Sequence, residues 1–240
     1  MKKIAFAVLL CFGIGFADEI SSQTFKPDLL TGDTALACEA ILCLSSPVRP
    51  SECMPSLSRY FGISYKKFSD TMKARVNFLN LCPAGSLTPQ MKDQINKLSQ
   101  ITGYCTVQEL NANLERSSQP ITTELKCSYD NNGQKCESSV VYGYRTSPTM
   151  TRNCQILSSM SYNDYNFKYT CNKEFYSESE WNSGKKIVSE ISQKEYGSLD
   201  EAHRLSLVKW EKAGNFGTYT QVTHYYKAEP IKKDCWVDNR

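Results

Sequence analysis

Eleven cysteines constrain this chain more than any other feature of its 240 residues. The density is too high for an ordinary reduced cytosolic protein, and an odd number cannot all pair. The first residues remove the oddity. Met1-Lys2-Lys3 is basic, Ile4 to Phe16 is an uncharged and mostly apolar run that contains Cys11, and Gly15 and Ala17 are small residues just before Asp18-Glu19. This is the pattern of a Sec-type signal peptide, residues 1–17, cleaved after Ala17. The apolar run is shorter than the about 20 residues a membrane-spanning helix needs. Leu10 before Cys11 disfavours a lipid-attachment signal, which wants a small residue there. Cleavage leaves ten cysteines: Cys38, Cys43, Cys53, Cys82, Cys105, Cys127, Cys136, Cys154, Cys171 and Cys235.

The expectation is therefore an exported protein in an oxidising compartment, most simply a bacterial periplasm, with all ten cysteines in structural disulfides. Removal of Lys2 and Lys3 lowers the formal net charge from +3 to +1. Near neutrality gives no strong electrostatic reason to bind nucleic acid. No later segment is a long apolar run, so no transmembrane anchor is expected after cleavage. Hydrophobic residues make up 40% and charged residues 22%, enough apolar material for a core.

After an irregular lead-in at 18–34, residues 35–116 carry helical patterns. Asp33 can cap a helix running from Ala35 to Cys43. Cys53 to Phe61 reads as a short helix stopped by Gly62. Over 66–81, Phe68, Met72, Val76, Leu79 and Cys82 recur at steps of three and four and predict one buried face. Thr88-Pro89 places an N-cap before a proline at the first helical position, for a helix to about Ile101. Thr106 and Glu109 form a capping box for a last helix to about Leu114.

Ser117 to Pro120 is a polar break, and the texture then changes. Eleven of the fourteen tyrosines and all three tryptophans follow it. Asp130-Asn131-Asn132-Gly133 is a turn between two extended runs, which predicts a hairpin over 125–144. Tyr165 to Tyr169 and Thr218 to Lys227 alternate as strands. Ser198-Leu199-Asp200-Glu201 reads as a second capping box, opening a helix to Gly214. The expected class is α+β: a disulfide-stapled helical bundle at 35–116, then a β-rich, Tyr-rich C-terminal half at 121–240 with one longer helix.

Ten cysteines allow roughly a thousand connectivities, and geometry narrows them. Cys38 and Cys43 point about 140° apart on a helix of 3.6 residues per turn, so they need different partners. Cys38–Cys82 and Cys43–Cys53 would staple three helices. Cys127 and Cys136 flank the Asn-Gly turn. Cys154–Cys171 would close a second hairpin, which leaves Cys105–Cys235 to tie the halves. Zinc-ligand spacing is absent, no C-x-x-C occurs, and His203 and His224 lie far from any cysteine. Nucleophile-elbow, metalloprotease and phosphate-loop motifs are also absent. No catalytic residue, metal or cofactor is expected. A cell-wall hydrolase using one glutamate, at Glu137-Ser138 or Glu178-Ser179, is a minor alternative. A secreted toxin or effector is another.

One segment carries a more specific signal. Cys38-Glu39-Ala40-Ile41-Leu42-Cys43-Leu44-Ser45-Ser46 is followed by Glu52-Cys53-Met54-Pro55-Ser56-Leu57-Ser58-Arg59-Tyr60-Phe61, and then by Arg75-Val76-Asn77-Phe78-Leu79-Asn80-Leu81-Cys82-Pro83. Over roughly 35–85 this resembles the TrbM/KikA family of conjugal transfer proteins. The resemblance implies an exported protein encoded with mating-pair-formation genes, whose partners are other envelope proteins of conjugation and type IV secretion. The motif residues read as scaffold. Arg59, Tyr60 and Arg75 are the candidate partner contacts, and ion pairs of the two arginines with Glu52 or Asp70 are the rival reading.

Overall fold

A computed structural model describes residues 31–214 and 217–240. The expected signal peptide and the lead-in up to residue 30 lie outside the described residues. The N-terminal part is helical: α1 (Gly32–Leu44), α2 (Met54–Phe61), α3 (Phe68–Leu79), α4 (Pro89–Leu98) and α5 (Val107–Ala112). Local chemistry sets several of these boundaries. The Thr88 side chain accepts from the Met91 amide with Pro89 in the first turn, and Thr106 with Glu109 makes a full capping box. Thr31, not Asp33, holds the cap position of α1, and Asp33 sits in its first turn.

The chain then turns to strands. β1 (Leu114–Asp130) and β2 (Gly133–Thr146) form a long antiparallel ribbon with Cys127 opposite Cys136. Its turn is closed by the Asp130 carboxylate accepting from the Asn132 amide, with Gly133 at φ 113°. β1 starts at Leu114, before the expected end of the helical part. It runs through the polar break with register shifts on both sides of Pro120, the place where a strand tolerates a proline. After α6 (Arg152–Ser158), β3 (Phe167–Tyr169) pairs with the last strand, β7 (Trp236–Asp238). α7 (Glu178–Ser183) leads into a three-stranded antiparallel sheet in the order β4 (Lys185–Ile191), β6 (Thr218–Pro230), β5 (Arg204–Ala213), with α8 (Gln193–Ser198) between β4 and β5.

The expected helix from Ser198 to Gly214 is not formed. Asp200, rather than Ser198, caps a three-residue 3-10 turn at Glu201–His203, and the chain continues as β5. Arg204 to Ala213 pairs along its whole length with β6, joined through Gly214 and Gly217, both at positive φ. Cross-strand pairing outweighs a capping signal that one turn is enough to satisfy.

The main core is built on α1 to α5 but does not stop at the polar break. Ala37, Leu44, Leu57, Leu79, Ile95 and Leu98 meet Leu157 and Met160 of the α6 region, Tyr165, and Trp236 of β7. Asn111 clamps the last strand: it donates to the Trp236 carbonyl (3.1 Å) and accepts from the Trp236 amide (2.7 Å). The Tyr165 hydroxyl lies 3.0 Å from the Leu44 carbonyl. The helical body is thus completed by residues more than a hundred positions downstream.

All ten cysteines at 38–235 are bonded, in five disulfides. Cys38–Cys82, Cys43–Cys53 and Cys127–Cys136 agree with the geometric expectation. The other four exchange partners. Cys105 bonds Cys154 and Cys171 bonds Cys235, in place of the expected Cys154–Cys171 and Cys105–Cys235. The cause lies in two packing events with no local signature. α6 delivers Cys154 into the helical core, where it is fully buried. The pairing of Tyr169 with Trp236 sets Cys171 beside Cys235.

Candidate functional site

The residues singled out by the sequence lie on α2 and α3, in three different settings. Arg59 is exposed on α2. Its partner is neither Glu52 nor Asp70 but Asp33, reached by two hydrogen bonds of 3.1 and 2.8 Å. The guanidinium hydrogen-bonded to Asp33 holds that carboxyl below its ordinary range. The pair ties the start of α1 to α2, and the Arg59 guanidinium lies 5.0 Å from the Phe78 ring centre.

Tyr60 is fully buried and its hydroxyl donates to the Leu98 carbonyl. Burial pushes its phenol up to about 12, against the lowering effect of nearby Arg75. Arg75 is only 5% exposed. Its Nε donates to the Ile63 carbonyl (3.2 Å) and its Nη1 to the Ile101 carbonyl (2.6 Å). Its guanidinium lies 4.5 Å over the Tyr60 ring and 5.7 Å from that of Phe61. Tyr60 is an interior group with no surface to offer a partner, whereas Arg75 is buried without an ion pair to Glu52 or Asp70 and is reached only from a groove. Carbonyl bonds and ring faces satisfy a buried guanidinium that a simple helical pattern assigns to the surface.

This arginine also corrects the face of α3. The buried residues are Thr71, Arg75, Phe78 and Leu79, whereas Phe68 is 43% exposed. The burial stripe is rotated from the expected one because two polar residues find partners inside. Thr71 Oγ1 accepts from the Tyr65 amide at 2.8 Å, which folds the 62–67 loop onto the helix.

The outcome is a groove of about 540 Å³ between the end of α2, the 62–67 loop, the start of α3 and the 102–104 loop. Arg75 lines its interior, and Phe61 and Lys66 also line it. Three rings stand at its rim with much of their surface in solvent: Tyr65 (59%), Phe68 (43%) and Tyr104 (42%). Phe61 and Tyr104 meet edge to face at 5.4 Å, and the Arg49 guanidinium lies 4.4 Å over the Tyr104 ring. Sequence reasoning missed the rim. Its signal is the run Ser64-Tyr65-Lys66-Lys67-Phe68, where aromatics interleave with cations in a loop and helix start, although the spacing of Phe68 fits the predicted buried face.

Both histidines are held by carboxylates. His203 Nδ1 is 2.9 Å from Asp200. His224, on the central strand β6, hydrogen-bonds Glu190 of β4 through Nδ1 at 2.8 Å, and its buried Nε2 lies 3.0 Å from Glu211 of β5 without making a hydrogen bond. Glu178 opens α7, and its neighbour Glu180 is spent on the capping box with Ser177 and on the Ile187 amide. Among the described residues no group of three or more His, Cys, Asp or Glu side chains could hold a metal ion, and no helix is long and apolar enough to cross a membrane.

Comparison with known proteins places these features. No curated protein and no solved structure matches the chain. The family model TrbM matches residues 29–196. The match contains every residue of the groove and four of the five disulfides in full, and it reaches far beyond the 35–85 segment that carries the resemblance by motif. The hairpin, α6, β3, α7 and β4 lie within it, and β5, β6 and β7 lie after it. With more than half of its length under one family model, the chain belongs to TrbM, a family of conjugal transfer proteins.

Proposed function

We propose that this conjugal transfer protein is an exported, periplasmic accessory of the mating-pair-formation and type IV secretion apparatus. In this reading it works by protein–protein contact, catalyses no reaction and binds no nucleic acid directly. The observation that carries the reading is the set of five disulfides. They join positions from Cys38 to Cys235 and close loops of up to 64 residues in sequence separation, which is the covalent economy of an oxidising compartment. The basic, apolar N-terminus supports export. The groove supports a contact role, because aromatic rings and arginine are the residue types enriched where proteins meet.

The test is deletion of the gene with complementation in trans, read as plasmid transfer frequency between donor and recipient. Transfer should fall and be restored. Unchanged transfer, with loss of the protein verified by immunoblot, would overturn the reading. Cell fractionation should find the mature chain, beginning at Asp18, in the periplasm. Purified protein should clear no peptidoglycan in a zymogram, and clearing would move the assignment to a cell-wall hydrolase.

A further inference from the structure

We propose that the groove between α2 and α3 binds an extended acidic segment of a partner protein, with a carboxylate facing Arg75 and Lys66 and an aromatic or aliphatic side chain against the rim rings. The proposal rests on the reading that the chain works by protein contact, and it says where and through what chemistry.

Charge is the first argument. Arg59, Arg145 and Arg240 are each joined to a carboxylate. Arg75 is the most deeply buried of these four guanidiniums, yet among the described residues only carbonyl oxygens accept from it. Two carbonyls accept from two of its five N–H groups and do not neutralise its charge. Lys66 adds a second cation to the groove, Arg49 a third behind Tyr104, and no Asp or Glu is among the lining residues. The amino end of α3, which starts at Phe68 and has no side-chain cap, adds the partial positive charge of a helix start at the same edge, offset in part by Asp70 in its first turn. A buried, uncompensated guanidinium attracts an anion strongly, because little water screens it.

The rim supplies the second argument. Tyr65, Phe68 and Tyr104 offer ring surface to solvent around this cationic interior. A groove of this volume holds two or three side chains, within the range of ordinary ligand pockets. Rigidity is the third. Cys43–Cys53 fixes the approach to α2, and Cys38–Cys82 fixes the exit of α3, so the walls are set before any ligand arrives.

The test uses the purified, disulfide-bonded protein and a fluorescein-labelled peptide with alternating glutamate and phenylalanine, read by anisotropy. A second peptide carries glutamine in place of glutamate. The acidic peptide should bind and the glutamine peptide should bind at least about tenfold more weakly. Lys66→Glu and Phe68→Ser, both at exposed positions, should each weaken binding by a similar factor with thermal unfolding unchanged. Absence of binding, equal binding of the two peptides, or wild-type affinity in both variants overturns the proposal. Three other results overturn it by naming another occupant. Preferred binding of oligothymidylate assigns the groove to nucleic acid. Self-association that Phe68→Ser abolishes assigns it to a second copy. Peptide binding that appears only after deletion of residues 18–30 assigns it to the chain's own leader. If gene deletion lowers transfer while the two variants bind no peptide and transfer normally, the contact reading stands and the groove falls.

Discussion

The helical body and the β-ribbon are held together by opposite means. In the body, Cys38–Cys82 and Cys105–Cys154 join positions 44 and 49 residues apart, and a buried core closes around them. In the ribbon, Cys127–Cys136 joins positions nine residues apart that an Asn-Gly turn already sets face to face. The body combines covalent links with a buried core that joins helices distant in sequence. The ribbon relies on backbone pairing, and its disulfide repeats what the turn achieves. Candidate function sits with the covalently linked helices: one groove wall, α2, is pinned at its start by Cys43–Cys53, and the other, α3, just beyond its end by Cys38–Cys82.

Removing disulfides gives the largest expected difference between the two regions. Chain-entropy arithmetic assigns about 4 kcal/mol to closing the Cys38–Cys82 loop and under about 3 kcal/mol to the Cys127–Cys136 loop. The double substitution C38A/C82A should therefore lower the denaturant midpoint more than C127A/C136A, by the equivalent of about 1 kcal/mol, and should make the 35–110 region protease-sensitive. Equal losses would break the comparison.

An intermediate effect should appear in alkali. The Tyr60 phenol has a folded-state value near 12 against an ordinary 10.0. A group raised by folding contributes fully below its unfolded value and loses that contribution as pH climbs through the folded one. Between pH 10 and pH 12 the body should lose about 2–3 kcal/mol from this residue alone. Denaturant melts across that range should show the decline, and Tyr60→Phe should flatten it. A decline of the same size in the variant would move the alkaline weakness elsewhere.

The smallest effect concerns the exposed Asp33–Arg59 pair. Its carboxyl is lowered, so any contribution is present above pH about 4 and is lost as pH falls through the folded value. Side-chain NMR of Asp33 should report a titration midpoint below 3.8, returning to the ordinary range in Arg59→Ala. Because the pair is open to water, Asp33→Asn should scarcely move the melting temperature.

What the sequence made legible was local. Thr88-Pro89 and Thr106 with Glu109 end up as helix starts because the capping groups and the amides they serve lie three residues apart. Asp130 to Gly133 forms its turn for the same reason. Cys43 and Cys53, or Cys127 and Cys136, are close enough along the chain for helix and hairpin geometry to choose the partner. Cys154 and Cys235 are not: their partners depend on α6 entering the helical core and on β3 meeting β7, contacts that close over long stretches of chain. Arg75 is illegible on different grounds. A periodic pattern counts apolar residues, and it has no means of knowing that two carbonyls and a tyrosine ring wait inside for a guanidinium. The groove is hidden with it, since the pattern turns Phe68 inward and Arg75 outward, and the fold exposes the one and buries the other. The same blindness made a helix of Ser198 to Gly214, where the deciding partner was a strand further on.

The nesting of the disulfides has a consequence in time. Cys43–Cys53 lies inside Cys38–Cys82, and Cys127–Cys136 lies inside Cys105–Cys154. An oxidant that joins thiols in their order of emergence would link Cys38 to Cys43 and Cys105 to Cys127, both wrong. The first cysteine of each nest must wait, reduced, until much later chain appears, and β7 must arrive before the core is sealed. Biogenesis of this protein is therefore a problem of proofreading, and cells without a disulfide isomerase should accumulate mispaired forms on non-reducing gels.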